Sequence, residues 1–119
     1  MQSNNKSNSL VPLSEQAFFI LLSLAPGKKH GYAILKDVED FSASALVLST
    51  STVYGALGRM QEQGLIVRVS VEGGEKPRPG LPRKFYELSK KGRRVLLEET
   101  QRMQALVLLA EQRLGEVVG

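Results

Sequence analysis

The stretch Ser49–Ile66, STSTVYGALGRMQEQGLI, decides the fold. It opens on four hydroxyl residues, Ser49 to Thr52. Ser49 is placed to cap a helix, because its hydroxyl can accept a bond from a backbone N–H that the first turn leaves unpaired. Val53, Leu57 and Met60 follow at spacings of four and three and form one narrow apolar stripe. Gly64 suits the left-handed position just past a helix end. Leu65–Glu72, LIVRVSVE, then alternates as a strand does, with Leu65, Val67, Val69 and Val71 on one side. At about 100° per residue, the face opposite the stripe carries Ser51, Gly55, Gly58 and Glu62, with Thr52 and Arg59 on one flank. A short helix with a small, polar outer face, running straight into a strand, is the pattern of a DNA-recognition helix followed by a β-wing.

Upstream, a helix is expected after Pro12, with Ser14 as its cap, through EQAFFILLSLA to Ala25. Ala17 to Leu22 is apolar on every face, which predicts burial on most sides. Pro26-Gly27 stops it. A second helix spans roughly Gly31 to Phe41, with Ile34, Leu35, Val38 and Phe41 inward and Lys36, Asp37, Glu39 and Asp40 toward water. Ser42–Leu48 connects it to the opening segment.

Downstream, Arg83–Leu88 is a second strand, in which one of Phe85 and Tyr86 is core and the other partly exposed. The Gly- and Pro-rich stretch EGGEKPRPGLP joins the two strands into a hairpin with a long basic tip. Ser89 caps a last helix that is expected to reach about Val117. Leu96, Thr100, Met103, Val107, Ala110, Leu114 and Val117 repeat at alternating spacings of four and three, the seam of a coiled coil, and Leu106 and Leu109 widen it. Such a helix reaches ~40 Å. Three short helices cannot cover that length, so a second copy of the chain is the expected partner.

The expected fold is mainly α with a small two-stranded β-wing: a winged helix-turn-helix plus a long C-terminal dimerisation helix. The expected organisation is a disordered tail over 1–12, a DNA-binding domain over 13–88 and the dimerisation helix over 89–119.

Composition narrows the function. The chain has 119 residues, 42% of them hydrophobic, no cysteine and one histidine. These numbers exclude disulfides and thiolate metal sites, and leave no acid–base or nucleophilic set for catalysis. No metal or cofactor is expected. No apolar run approaches a membrane span, and MQSNNKSNS is no signal peptide, so a cytoplasmic protein is expected. The net charge is +4, but between Gly73 and Arg94 eight basic residues face two acidic ones, a local +6. A polyanion is the natural partner of such a block, although a solvated basic loop would look the same.

HGYAILKDVE at His30–Glu39, LSTSTVYGALGRMQEQGLI at Leu48–Ile66 and RKFYELSKKGRRVL at Arg83–Leu96 resemble the PadR family of bacterial transcription regulators. The resemblance covers about residues 13–112. It implies a dimeric DNA-binding repressor, of the shorter subgroup in which the C-terminal helix forms the dimer interface with the first helix. Gly55 departs from the pattern, since many relatives carry a bulkier residue or proline there. The wing tip Gly73–Pro82 also holds more Pro and Gly than a tight hairpin needs.

The expected DNA contacts on the third helix are Ser49, Thr50, Ser51, Thr52, Tyr54, Gly55 and Arg59. Gly55 and Gly58 serve either close approach to DNA or close packing on the first helix. Lys28, Lys29 and His30 precede the second helix, which crosses the DNA backbone in such folds. As the only histidine, His30 reads as a local cap or packing residue. Lys76, Arg78, Arg83 and Lys84 belong to the wing. Lys90, Lys91, Arg93 and Arg94 open the last helix, where positive charge opposes the macrodipole and hints at a negative partner. The expected dimer interface uses Phe18, Leu22, Leu96, Met103, Leu106, Val107, Ala110 and Leu114. The partners expected are a pseudo-palindromic double-stranded DNA, a second copy and a small hydrophobic or aromatic effector lodged near Phe18, Phe19, Met103 or Leu106. The alternative reading is a winged helix that binds protein and not DNA.

Overall fold

The structure is a computed structural model that describes residues 10–70 and 84–116. In the described residues the elements run α1 (Glu15–Ser23), β1 (Lys29–His30), α2 (Gly31–Phe41), α3 (Thr50–Glu62), β2 (Ile66–Val69), β3 (Phe85–Leu88) and α4 (Lys90–Leu114).

The helix ends follow from local chemistry. Ser14 Oγ accepts from the Ala17 N–H at 3.0 Å, Ser49 Oγ from Thr52 at 3.1 Å and Ser89 Oγ from Gly92 at 2.9 Å. In α2 the cap is His30, whose Nδ1 accepts from the Ala33 N–H at 3.3 Å. The end of α3 is a Schellman motif: Leu65 N–H donates to the Met60 carbonyl at 2.9 Å and Gly64 N–H to Gln61 at 3.0 Å. Gly64 has φ +79°, a conformation that glycine adopts without strain.

The three short helices enclose the core. Ile20 and Leu21 of α1, Ile34 and Val38 of α2, and Val53 and Leu57 of α3 are fully buried. Each such side chain stabilises the fold by about 1.5–3 kcal/mol. Tyr86 reaches the same core from β3 and Val95 and Leu96 from α4. Tyr86 is therefore the core member of its pair and Phe85 the half-buried one.

The sheet gains a strand. Its order is β1-β3-β2, antiparallel throughout. The hairpin pairs Ile66 with Leu88 and Val69 with Phe85, as a wing should. β1, only Lys29 and His30, pairs with Tyr86 and Phe85 on the other side of β3. The His30 ring meets Phe85 edge-on, with centroids 5.4 Å apart.

Several details differ from the sequence expectations. Val67 is 42% exposed, and the buried residue of β2 is Ile66, because Leu65 is spent on closing α3. Phe41 is 44% exposed and lies against Phe19, with ring centroids 6.1 Å apart. Asp37 is half-buried and hydrogen-bonded rather than directed at water. Leu10 and Val11, assigned to the tail, pack on the core. α4 stops at Leu114, where Gly115 turns left-handed at φ +74°. Val117 lies outside the described residues, as do residues 1–9.

α4 starts against the end of α3. A Cβ on Gly92 would run into the Leu65 carbonyl, with the carbonyl carbon at 2.9 Å, so glycine allows the two backbones to meet. Ser89 N–H donates to that same carbonyl oxygen at 3.0 Å. Farther on, α4 leaves the core: Leu106, Val107, Leu108 and Leu109 are each about half exposed, and Leu114 is 67% exposed.

Candidate nucleic-acid interface

The outer face of α3 carries mostly small residues. Thr50, Ser51, Thr52, Gly55, Gly58, Arg59 and Glu62 are all exposed. Ser49 Oγ donates to Thr52 Oγ1 at 2.8 Å and lies 3.2 Å from Ser51 Oγ, so the hydroxyls form one linked group at the helix start. A Cβ on Gly58 would meet nothing within 4 Å, and one on Gly55 would meet only the Arg59 guanidinium, at 3.7 Å. Among the described residues, close packing on α1 therefore does not explain either glycine. Each still costs about 1 kcal/mol of helix stability relative to alanine. Arg59 has no hydrogen-bond or ion-pair partner among the described residues.

Tyr54 is half-buried on the flank of α3 that faces α2. Its ring lies across Gly31, the first residue of α2: a Cβ there would stand 2.5 Å from the ring carbon Cζ. Tyr54 therefore fixes the start of α2 beside the start of α3. It also contributes to raising the Tyr86 phenol pKa, after burial, which is the larger cause.

The two lysines before α2 have different fates. Lys28 is exposed and unpaired among the described residues. Lys29 is half-buried, with its ammonium in an ion pair with Asp37. Asp37 also accepts from Ser23 Oγ at 2.7 Å. Burial pushes the Asp37 pKa up, but the bonds from Lys29 and Ser23 outweigh it and hold the carboxyl below its ordinary value. Lys29 thus brings little free charge to the surface. His30 acts as a cap and ring contact, as the sequence suggested.

The four basic residues that open α4 divide evenly. Lys91 Nζ donates to the Gln63 carbonyl at 2.9 Å, and Arg93 Nη2 to the Ala25 carbonyl at 3.1 Å. The negative partners are thus the carbonyl ends of α3 and α1, where cations are favourable. Lys90 and Arg94 remain exposed and unpaired among the described residues. Lys84, the residue before β3, is half-buried. Lys76, Arg78 and Arg83 fall outside the described residues.

Of the residues expected at a dimer interface, Leu96 sits in the chain's own core at 7% exposure. The free apolar stripe therefore begins after it. Met103, Phe18 and Leu22 are half-buried, while Leu106, Val107, Ala110 and Leu114 are exposed. A shallow groove of about 330 Å³ runs along Thr100, Met103, Val107 and Leu108.

Sequence reading passed over Glu99 and Tyr32. Glu99 is 1% exposed, and its carboxylate accepts from Arg102 Nε and Nη2 at 2.7 and 2.8 Å and from the Leu13 N–H at 3.1 Å. The Arg102 bonds, helped by Leu13, overcome burial and hold its pKa below the ordinary glutamate value. The only local signal was Arg102 three positions later. Tyr32 is 63% exposed on the first turn of α2.

Among the described residues, no helix is long and apolar enough to cross a membrane, and no cluster of His, Asp or Glu could hold a metal. Three helices, a small antiparallel sheet and a hairpin wing define a winged helix-turn-helix protein with an added C-terminal helix. Residues 20–98 match the Transcriptional regulator PadR-like family, and the chain belongs to that family. No curated protein matches it. A PadR family transcription regulator from hypervirulent Clostridium difficile R20291 is 27% identical, with a TM-score of 0.66 over 85% of this chain and 99% of that one. A PadR family transcriptional regulator from Eggerthella lenta DSM 2243 is 26% identical, with a TM-score of 0.61 over 90% of each chain. Bacillus subtilis PadR in complex with operator DNA shares the fold at 24% identity and a TM-score of 0.56, over 69% of this chain and 44% of that one.

Proposed function

We propose that this chain is a homodimeric, sequence-specific DNA-binding regulator that acts in the cytoplasm as a repressor. The observation that carries the reading is the small-residue face of α3, where Gly55 and Gly58 meet no neighbouring element among the described residues. A major groove would explain them, since their absent side chains let the helix backbone approach base edges. Ser51, Thr52 and Arg59 then supply the groups that bond to bases and phosphates. Lys28, Lys90 and Arg94, exposed and unpaired among the described residues, add charge for the phosphates. Bacillus subtilis PadR, seen with operator DNA, lends support by likeness of fold.

The dimer rests on α4, whose Leu106–Leu109 stretch stays half exposed in the single chain. Pairing two such helices, with Phe18 and Leu22 of α1 beside them, would remove this surface from water. A two-fold dimer calls for a pseudo-palindromic operator with half-sites about 34–36 Å apart. A small hydrophobic or aromatic effector would act where α1 meets α4, near Phe18, Phe19, Met103 and Leu106. A surface for binding protein alone would need neither the small-residue face of α3 nor the +6 basic block.

Replacing Ser51, Thr52 and Arg59 together by alanine tests the reading. Operator binding in a gel shift should vanish while sedimentation still reports a dimer. Retained operator binding in the triple variant would refute it.

A further inference from the structure

A cleft of about 210 Å³ lies between the start of α1 and the second half of α3. None of its lining residues belongs to α4, so it is separate from the groove along Met103 and Val107. Leu13 and Ala17 wall one side, and Ala56 and Met60 the other. Arg59 brings the one formal charge among the described lining residues, and Gln16 and Gln63 bring side-chain amides. The guanidinium and both amides have no partner among the described residues. An apolar lining with a few converging polar groups is the usual make-up of a small-molecule site. Arg59 also borders a second surface, because a Cβ on Gly55 would stand 3.7 Å from one of its guanidinium nitrogens. Its side chain therefore joins the cleft to the small-residue face of α3.

We propose that this cleft binds a small monocarboxylate with an apolar body, of the short-chain fatty acid class, and that Arg59 is its counter-ion. The volume equals that of about seven water molecules in the liquid, which is room for a chain of about six carbons. The hydrocarbon lies against Leu13, Ala17 and Met60, where it leaves water. The planar guanidinium takes the carboxylate through two parallel bonds, and the glutamine amides donate to the same oxygens. With no carboxylate in the described lining, nothing competes for the arginine. The bound acid neutralises Arg59 and withdraws it from the neighbouring face of α3, so it weakens the hold on DNA. This second step rests on the DNA-binding reading above; the site itself does not.

The test titrates the full-length protein with sodium hexanoate at pH 7 and follows backbone amide shifts by NMR. Shifts should centre on Gln16, Ala17, Arg59 and Gln63, with a dissociation constant of about a millimolar. Neutral 1-hexanol should bind about tenfold more weakly, and Arg59→Gln should weaken hexanoate by a similar factor. Fluorescence anisotropy with an operator duplex then reads the consequence. Saturating hexanoate should weaken the parent's DNA binding about tenfold beyond an equal concentration of sodium chloride. Arg59→Gln, weaker on DNA from the start, should no longer respond to the acid. Absence of shifts, shifts centred on Met103 and Val107, or equal binding of hexanol would overturn the site. Hexanoate seated in the cleft with unchanged operator affinity would overturn its effect on DNA. A parent that takes up hexanoate there but binds no duplex would instead overturn the DNA-binding reading.

Discussion

The ring of Tyr54 occupies the space that a side chain on Gly31 would need. The contact joins the start of α3 to the start of α2, so these two residues set how closely the two helix starts approach. Gly31→Ala should cost about 1–3 kcal/mol in urea unfolding, because the ring must leave its rotamer or the helices must part. In a Tyr54→Ala background the same substitution should cost far less, since the obstacle is gone. Additive losses in the double variant would contradict this contact.

Glu99 predicts an acid-sensitive joint between α4 and the N-terminal end of α1. The folded chain holds the Glu99 proton less tightly than the unfolded chain does, because Arg102 and the Leu13 N–H favour the carboxylate. Its contribution is fully present above the ordinary glutamate pKa, about 4.3, and is lost as pH falls through the lowered folded value. Glu99→Gln should destabilise the chain at pH 7 by about 1–3 kcal/mol. Thermal melts of the variant should also show a shallower fall in stability below about pH 4 than the parent does.

Lys28 and Lys29 are neighbours in sequence but should behave differently on DNA. Lys28→Ala should reduce the slope of log affinity against log salt by about 0.9 for each protomer. Lys29→Ala should leave that slope nearly unchanged, because Asp37 already pairs with its charge. It should instead lower the melting temperature, since Asp37 is left half-buried without its cation. Equal salt slopes for the two variants would contradict the assignment.

What could be read in the sequence was local. The capping serines, the left-handed Gly64 and the Val53–Leu57–Met60 stripe depend on residues within a turn or two, and the structure has them as read. The residues missed depend on distant partners. Glu99 bonds to Leu13, 86 positions away. β1 is two residues long, too short to show an alternating pattern, and exists because β3 has a free edge. Gly92 looked like an ordinary helix residue until the Leu65 carbonyl was placed against it. The basic start of α4 did indicate a negative partner, but for Lys91 and Arg93 that partner is the chain's own helix ends. On α3 the sequence left DNA and packing on the first helix as equal explanations of its glycines, and the empty space around Gly58 among the described residues removes the second.

Gly58→Leu tests the central claim most directly, because folding and binding should respond in opposite directions. A side chain there meets nothing in the described fold and replaces a poor helix former with a good one, so thermal stability should rise by up to about 1 kcal/mol. If the small-residue face of α3 lies against DNA, the same substitution should weaken operator binding more than tenfold in an anisotropy titration. A variant that is stabilised and still binds the operator with the parent's affinity would show that this face of α3 does not touch DNA.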